Sequence, residues 1–507
     1  MERWRAWTLG GLAVTVLVCG SAATWLSLHW PFTPEAVTSL LQQRFARQVL
    51  IGSFRETWFP PGCVANNVRF LHRVRKDLPP LIEARELAVK TSWIGVLRHH
   101  IDKVKIAGLR VVVPPADGSG KSPVMPNEKG ETRISSIDEV EADNANLIFL
   151  PDAQGKTPTP VQIHQLRLDH LTAGRPLVFH VSLRYSRPAG ELSASGRLGP
   201  WNKDNTGATP ISGQYRFGDA DLKTFHGLSG VLSADGKFNG VLTKISLDGS
   251  ADVPEFHVDG SARKVHLMAT YRASVDTQTA DTQVDHVEAR TGRTTIIANG
   301  RVAGREGEAG KTASLDLKVE KGRIEDLLNY FSEERQASMA GAVRLHAHAE
   351  LPPGPGFLKK ISLTGAFSVA DARFTNPERQ APVNHLSESA AGEKKKEQDE
   401  DPRTALANLN GSVVARNGLA SLSNLSFDFS GGAAEMDGTF NLLSKVVDLR
   451  GTLRTEGRLP DATSGFKSVL LKIATPFLRS HKLTTVPFKI EGNASNPSVG
   501  LNFGGRK

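Results

Sequence analysis

The stretch Asn417-Gly418-Leu419-Ala420-Ser421-Leu422-Ser423-Asn424-Leu425-Ser426-Phe427-Asp428-Phe429 shows how this chain is built. It opens on Asn-Gly, a dipeptide that favours a tight hairpin turn. Apolar residues then recur at every second position, at Leu425, Phe427 and Phe429. This alternation predicts a β-strand with one apolar and one polar face. Similar patterns on either side predict that the region from Leu409 to Phe503 contains short strands, one helix and a closing strand.

The same period-2 pattern returns many times between about Ile134 and Phe374. One side of each predicted strand carries aliphatic residues and a few rings, and the other side carries Ser, Thr, Arg, Lys and Asp. We expect the apolar side to be lined by Leu183, Tyr215, Leu267, Leu317, Leu345 and Phe367. Four dipeptides are predicted to form turns between strands, namely Asp235-Gly236, Asp248-Gly249, Asp259-Gly260 and Asn299-Gly300.

Composition and charge exclude several classes of protein. The 507 residues include 47 Gly and 28 Pro and only 7% aromatics, which disfavours a compact helical bundle. The net charge of +9 is spread along the chain without an aromatic-plus-basic pattern, so we predict no nucleic-acid partner. An anionic membrane nearby accounts better for the basic balance. The two cysteines, Cys19 and Cys63, are expected to form neither a disulfide nor a metal site.

The N-terminal segment predicts a membrane anchor. Residues 7–28 are 22 residues without a charge, which would span about 33 Å as a helix at ~1.5 Å per residue. We expect residues 1–6 in the cytoplasm and the bulk of the chain in the periplasm, because Arg3 and Arg5 precede this run. The anchor residues would be Trp7, Leu12, Val16, Trp25 and Leu28. The alternative is a signal peptide cleaved near residues 20–23, although the apolar run continues past that site.

Composition shifts divide the rest of the chain. We predict an N-terminal α/β part at 29–114, a loop at 115–132, a repeated β-hairpin groove at 133–375, a disordered charged insertion at 376–403 and a C-terminal region at 404–507. Helices are expected after Thr33-Pro34, from Ile324 to Phe331 and at residues 464–480. The last is basic and amphipathic, so it would either cap the sheet or lie on a membrane surface.

The predicted fold is therefore mainly β, with an N-terminal transmembrane helix followed by an elongated, curled antiparallel sheet and a few amphipathic helices. No glycine-rich phosphate loop, nucleophile elbow or paired-histidine zinc motif is present. His346 and His348 share a strand face with Arg344, which is typical of a solvated polar face rather than a metal site. We expect no enzymatic activity, no cofactor and no metal. A polysaccharide-active enzyme would need paired carboxylates in a cleft, which no pattern here predicts.

Several segments resemble the AsmA-like family of bacterial envelope proteins. These are Ser92 to Leu97 followed by Ile101 to Pro114, the Ile324 to Leu328 segment, Phe427 to Phe429, Asp448 to Gly451 and Ile490 to Pro497. The resemblance implies an inner-membrane anchor and a periplasmic β-groove of the bridge-like lipid-transfer type. It also implies a part in moving phospholipid between bacterial membranes and in outer-membrane integrity. Phospholipid acyl chains and the inner membrane would then be the partners, with envelope proteins as further candidates.

Physical argument from the residues leads to the same expectation. A long series of strands with one apolar face must be covered by another layer, close on itself, or hold something apolar. The predicted helices are too few to cover it. Acyl chains need dry walls but no polar ligand, which agrees with the missing motifs. The alternative is a non-catalytic scaffold or assembly factor for outer-membrane proteins, with its layers packed shut and its edge strands offered to partners.

Overall fold

A computed structural model of the chain describes residues 30–45, 47–72, 79–113, 136–150, 159–172, 174–186, 188–202, 204–225, 227–305, 310–332, 337–375, 407–429, 432–455, 484–494 and 498–501. These residues form two compact units. Unit 1 holds the described residues up to Ser186 together with Leu192–Gly213, and unit 2 holds those of Arg187–Glu191 and of Gln214–Lys507. The described structure is mainly β, as the alternation predicted.

Unit 1 combines two short helices with a mixed sheet. Its helices are α1 (Pro34–Phe45) and α2 (Trp93–Arg98). Its strands are β1 (Val49–Leu50), β2 (Ser53–Trp58), β3 (Pro61–Phe70), β4 (Ile82–Lys90), β5 (His100–Ala107), β6 (Arg110–Val113), β7 (Ser136–Phe149), β8 (Thr159–Thr172) and β9 (Leu177–Ser186). Two further strands, β10 (Ala189–Leu198) and β11 (Pro210–Asp221), each contain residues of both units.

The expectation of a purely antiparallel sheet is wrong in unit 1. Strand β7 runs parallel to β5, where Val104 faces Val140, and parallel to β6, where Val111 faces Leu147. A parallel neighbour requires a long connection between the two strands, and residues 114–135 supply one between β6 and β7. The other strand pairings described in the unit are antiparallel, including those of β3 with β1, β2 and β4.

Helix α1 begins where the sequence predicted it. The Ala36 backbone N–H donates to the Thr33 hydroxyl at 3.2 Å, and Pro34 occupies the first helical position. The helix packs Leu41 and Phe45 against a core of β1, β3 and β4 whose buried members are Val49, Ala65, Val68, Phe70 and Ala84. The helix predicted after Thr33-Pro34 is confirmed, and it packs against the sheet.

Cys63 lies in a second core of unit 1, beside Trp30, Phe32 and Val37. Its side chain is 1% exposed. Burial raises the pKa of the thiol to about 12, and the charge of Glu56 adds to the effect. Cys63 is therefore a protonated, unreactive thiol at neutral pH, in keeping with a structural residue.

We expect maleimide to leave Cys63 unlabelled at pH 8 in a folded Cys19→Ser chain and to label it on denaturation. An exposed cysteine in the same background, Asp204→Cys, should react at once and serves as the control. Because the unfolded thiol ionises near its ordinary pKa of 9.0, its contribution to stability is present below that pH and is lost as the pH rises towards about 12. Rapid labelling of the native chain would show that this core opens.

Unit 2 is a long series of antiparallel neighbours. Its strands begin with β12 (Leu228–Ser229), β13 (Val231–Val241), β14 (Lys244–Val258), β15 (Val265–Asp276), β16 (Thr282–Thr291), β17 (Thr294–Gly304), β18 (Lys311–Arg323), β19 (Met339–Leu351) and β20 (Ser362–Phe374). They continue with β21 (Ala407–Arg416), β22 (Leu419–Phe429), β23 (Gly432–Asn441), β24 (Val446–Thr455), β25 (Thr484–Asn493) and β26 (Ser498–Leu501). From β13 onward each strand pairs with the next. Helices α3 (Ile324–Leu328) and α4 (Phe357–Lys360) interrupt the series.

The best-buried core of unit 2 lies where α3 meets the sheet. Val319, Val343, Val369 and Ala372 are at most 2% exposed and come from β18, β19 and β20. Ile324 and Leu327 of α3 pack against them. The predicted helix at this place is confirmed, although it is shorter than the pattern to Phe331 suggested.

Only some of the predicted turns are turns. Asn417 and Gly418 have φ values of 52° and 78°, as a tight hairpin between β21 and β22 requires, and Asp259 and Gly260 also lie in a turn. The other three predictions are wrong: Asp235-Gly236, Asp248-Gly249 and Asn299-Gly300 lie inside β13, β14 and β17. At these three glycines a backbone carbonyl of the neighbouring strand approaches closely, and the Tyr215 hydroxyl also approaches Gly236 and Gly249. The local sequence does not show this packing reason.

Four predictions concern residues outside the described ranges, namely the anchor at 7–28, the loop at 115–132, the charged insertion at 376–403 and the helix at 464–480. Within those ranges, none of the helices has the length and apolar character needed to cross a bilayer.

Candidate functional site

The six predicted lining residues are all half-buried. Leu183 lies on β9 of unit 1, where it faces Ile163 of β8. The other five lie in unit 2: Tyr215, Leu267, Leu317, Leu345 and Phe367. Leu345 and Phe367 face each other across β19 and β20. A second layer of described residues over these six side chains would bury them fully. None of the six is fully buried, so the described residues supply no such layer.

The pairing register of unit 2 joins apolar positions of successive strands into one line. We call this line the apolar row. From β13 to β25 it contains Gly236, Gly249, Tyr271, Val287, Ala298, Leu317, Ala347, Gly365, Val413, Leu422, Gly438, Leu449 and Ile490. No charged residue interrupts it, and its one polar side-chain group is the Tyr271 hydroxyl. Twelve steps of ~4.8 Å between strands give the row a length on the order of 60 Å.

A second line of apolar residues runs beside the first, two positions along each strand, and includes Leu247, Leu315 and Leu363. We call the surface formed by the two lines the apolar face of unit 2. Its residues are mostly Gly, Ala, Val and Leu, so no large side chain projects far from most of this surface. Register shifts between Arg272 and Ala273 and between Leu422 and Leu425 change the pairing without bringing a charge onto the face.

Helix α3 covers one part of this face. Ile324 and Leu327 pack against the cluster that contains Val319, and Val319 is 0% exposed. Leu317 is only two residues away on the same side of β18, but it remains half-buried. The apolar face is therefore sealed near α3 and accessible farther along β18.

The opposite face of unit 2 is polar and charged, as predicted. His348 Nδ1 lies 2.8 Å from Asp316 Oδ1, and Lys318 Nζ lies 2.5 Å from Glu320 Oε1. The hydrogen bond and charge of Lys318 hold the pKa of Glu320 below its usual value. His346 and His348 each lie beside a carboxylate of β18, and both are exposed. The interpretation of this histidine pair as part of a solvated face is confirmed.

Tyr215 differs from the other predicted lining residues. Its hydroxyl lies 2.5 Å from the hydroxyl of Tyr271, and both rings sit on the apolar face beside the paired glycines Gly236 and Gly249. Desolvation and the neighbouring hydroxyl raise the pKa of Tyr215, and desolvation raises that of Tyr271. The two phenols stay neutral and satisfy each other, so this end of the row carries a small polar spot.

A polar cleft of about 590 Å³ lies beside α3. It is lined by Arg263, Glu325, Asp326, Asn329, Ala337, Ala340, Arg373 and Thr375. Its two carboxylates already have partners. Asp326 Oδ2 accepts from the Arg293 backbone N–H at 2.8 Å and from the Thr294 hydroxyl at 2.9 Å. These bonds fasten α3 to the β16–β17 turn.

Glu325 is held in the same way. Its Oε1 accepts from Arg323 at 2.8 Å and from Arg293 at 3.1 Å, and its Oε2 accepts from the Gly341 backbone N–H at 3.2 Å. Burial opposes ionisation, but the backbone hydrogen bonds and the Arg323 guanidinium hold its pKa below the usual value. Glu325 is thus an ionised structural group rather than the raised-pKa acid that glycoside hydrolysis requires.

Among the described residues of unit 1, His100, Asp102 and Asp138 bring three metal-ligating side chains together. His100 Nε2 is 2.9 Å from Asp138 Oδ2 and 3.5 Å from Asp102 Oδ1, while Nδ1 is 2.7 Å from the Ser136 hydroxyl. Both ring nitrogens therefore have hydrogen-bond partners, and the two carboxylates are about half exposed. The cluster is a surface hydrogen-bond network across the parallel β5–β7 pair.

The chain was compared with family models and with curated proteins. Neither the family models nor the curated proteins that we searched match this chain. The candidate site therefore rests on the geometry of the described residues. The sequence pattern predicted the apolar and polar faces but not the register between strands.

Sequence reasoning also missed the exposed aromatic residues of unit 1, because Trp58 and Trp93 come together only in the folded chain.

Proposed function

We propose that the protein is a lipid-binding and lipid-transfer protein, anchored in the inner membrane with its bulk in the periplasm. In this role it supports phospholipid transport to the outer membrane and the integrity of that membrane. The resemblance to the AsmA-like family suggests the same activity. The single observation that carries the proposal is the apolar row, which is unbroken from β13 to β25 and half-accessible at Leu317.

Acyl chains fit the chemistry of the apolar face. Each methylene removed from water contributes about 0.8 kcal/mol, so a lipid tail gains its binding energy from area alone. Glycine and alanine project little from the sheet, so they leave room for an acyl chain along the strands. No charged side chain of the apolar row would have to be desolvated when the chain binds. The polar head group would stay in water at the margin of the face.

Beyond the tyrosine pair at its β13–β15 end, the row offers no polar group that would hold a ligand in one place, which favours movement over storage. A ligand that binds only through apolar contact finds nearly equal energies at neighbouring strands, so it can move along the row without crossing a high barrier. No bond is made or broken in this process. We therefore propose no catalytic residue and no cofactor.

A site-specific photocrosslink tests this proposal in the full chain. Benzophenone-phenylalanine at Leu317 should crosslink phospholipid, whereas the same probe at Lys318, on the next residue and the opposite face, should not. The pair is matched because lipid around the anchor reaches both variants equally. Equal crosslinking at the two positions, or none at Leu317, would overturn the lipid proposal and leave a scaffold or assembly factor as the alternative.

A further inference from the structure

Unit 1 exposes an aromatic and aliphatic patch that the proposed lipid-transfer role does not use. It consists of Trp58 and Phe59 at the β2–β3 turn, and Trp93, Ile94 and Leu97 on α2. Phe59 is 85% exposed, Leu97 67% and Ile94 62%. We call these five residues the turn patch. Such a concentration of large exposed apolar side chains marks an interaction surface.

Trp30 holds the patch together. It is 4% exposed and stacks on Trp58 with ring centroids 4.3 Å apart. Trp93 lies 5.8 Å from Trp30 and 5.7 Å from Phe59. The rings support one another, so the patch is a fixed surface rather than a set of independent side chains.

The position of Trp30 in the chain indicates what the patch contacts. The uncharged run at 7–28 ends two residues before Trp30. At ~3.5 Å per residue, even an extended link keeps Trp30 within about 7 Å of the end of that run. If residues 7–28 cross a bilayer, the turn patch is held at the bilayer surface. Aromatic residues are enriched at that depth.

We infer that the turn patch inserts into the interfacial layer of the same membrane that holds the anchor. Trp58 and Trp93, which are partly exposed, would lie at the head groups, and Phe59, Ile94 and Leu97 would enter the acyl boundary. This inference rests on the anchored part of the proposed function. It gives unit 1 a second attachment, so that the unit is fixed against the membrane surface instead of hanging from a single helix.

The test uses the full chain, with Cys19→Ser, in vesicles of phosphatidylethanolamine and phosphatidylglycerol. A fluorophore on Phe59→Cys should be quenched several-fold more by doxyl-labelled lipid than one on Asp204→Cys, which is an exposed site of unit 1. Aqueous iodide should show the reverse order. A Phe59 label that iodide quenches as strongly as the Asp204 label would overturn the inference. Shielding from both quenchers would assign the patch to a protein contact and would also overturn it.

Two further measurements distinguish failure of the patch inference from failure of the proposed membrane anchor. A label on Leu12→Cys reports the anchor: if deep doxyl lipid quenches it while the Phe59 label stays in water, only the patch inference fails. A label on Leu97→Cys should lose most of its lipid quenching when Phe59→Ser and Ile94→Ser are added. The matched pair Leu443→Ser and Val446→Ser, which removes two exposed apolar residues of unit 2, should leave that quenching unchanged.

Discussion

Replacing Val319 with Asp is expected to unfold the β18–β20 region of unit 2, whereas Asp at Leu317 is expected to leave it folded. The two residues lie on the same strand and the same face. Val319 is 0% exposed in the cluster that Ile324 and Leu327 pack against, so its replacement buries a carboxylate without a partner. That costs several kcal/mol, which is comparable with the whole stability of an ordinary domain. At half-buried Leu317 the carboxylate can reach water.

Hydrogen exchange of the full chain, followed peptide by peptide, measures the difference. Val319→Asp should remove protection from β18, β19 and β20, and Leu317→Asp should retain it. The comparison also tests the apolar face itself. If Leu317→Asp removed protection as completely as Val319→Asp, the face would be packed shut at both positions, and no lipid could occupy it.

The contrast between these two residues shows what sequence can predict. Alternation placed Leu317 and Val319 on one apolar side, and the structure confirms that side. It gave no sign that one is buried and the other is not, because the packing of α3 against the cluster that contains Val319 depends on how the chain turns back after β18. Burial along a strand is set by long-range packing, which a period of two cannot encode.

The pairing register between strands could not be predicted from the sequence either. Leu317 faces Ala298 on one side and Ala347 on the other, and the bulge between Val319 and Gly322 interrupts the β18–β19 pairing nearby. A one-residue slip would have turned every apolar side chain to the polar face. The parallel pairing of β7 with β5 and β6 was missed for a similar reason. Chain direction across a long connection leaves no local pattern.

The turn patch was missed because its members are far apart in sequence. Trp58 belongs to a hairpin and Trp93 to a helix. Ser92 to Leu97 were used only for their resemblance to a family, and α2 was not predicted there. The Ser92 hydroxyl, which accepts from the Gly95 backbone N–H at 3.1 Å, was the local signal for a helix start.

Replacing Gly249 with Ala is expected to destabilise unit 2 by about 1–3 kcal/mol, as overpacking does elsewhere. A Cβ there would lie 2.5 Å from the Asp235 carbonyl oxygen and 2.7 Å from the Tyr215 hydroxyl. The carbonyl belongs to the neighbouring strand, so β13 and β14 would have to separate. The hydroxyl can move, but only by leaving Tyr271, its partner at 2.5 Å.

Gly218→Ala is the matched control, because a Cβ at Gly218 meets nothing within 4 Å. It should be neutral or stabilising by up to ~1 kcal/mol. The readout is the thermal unfolding of the full chain together with hydrogen exchange of β13 and β14. If Gly249→Ala were as stable as Gly218→Ala, the close approach of Tyr215 to the glycine pair would be refuted.

Adding Tyr215→Phe to Gly249→Ala divides the clash into its two parts. Removal of the hydroxyl should recover some of the lost stability, and the remainder should persist because the Asp235 carbonyl is still in the way. The position of the two tyrosines also bears on the proposed function. Tyr215 and Tyr271 occupy the β13–β15 end of the apolar row with their own rings. The surface left for an acyl chain therefore lies farther along the row, towards Ala298 and Leu317, where the lipid crosslink is expected.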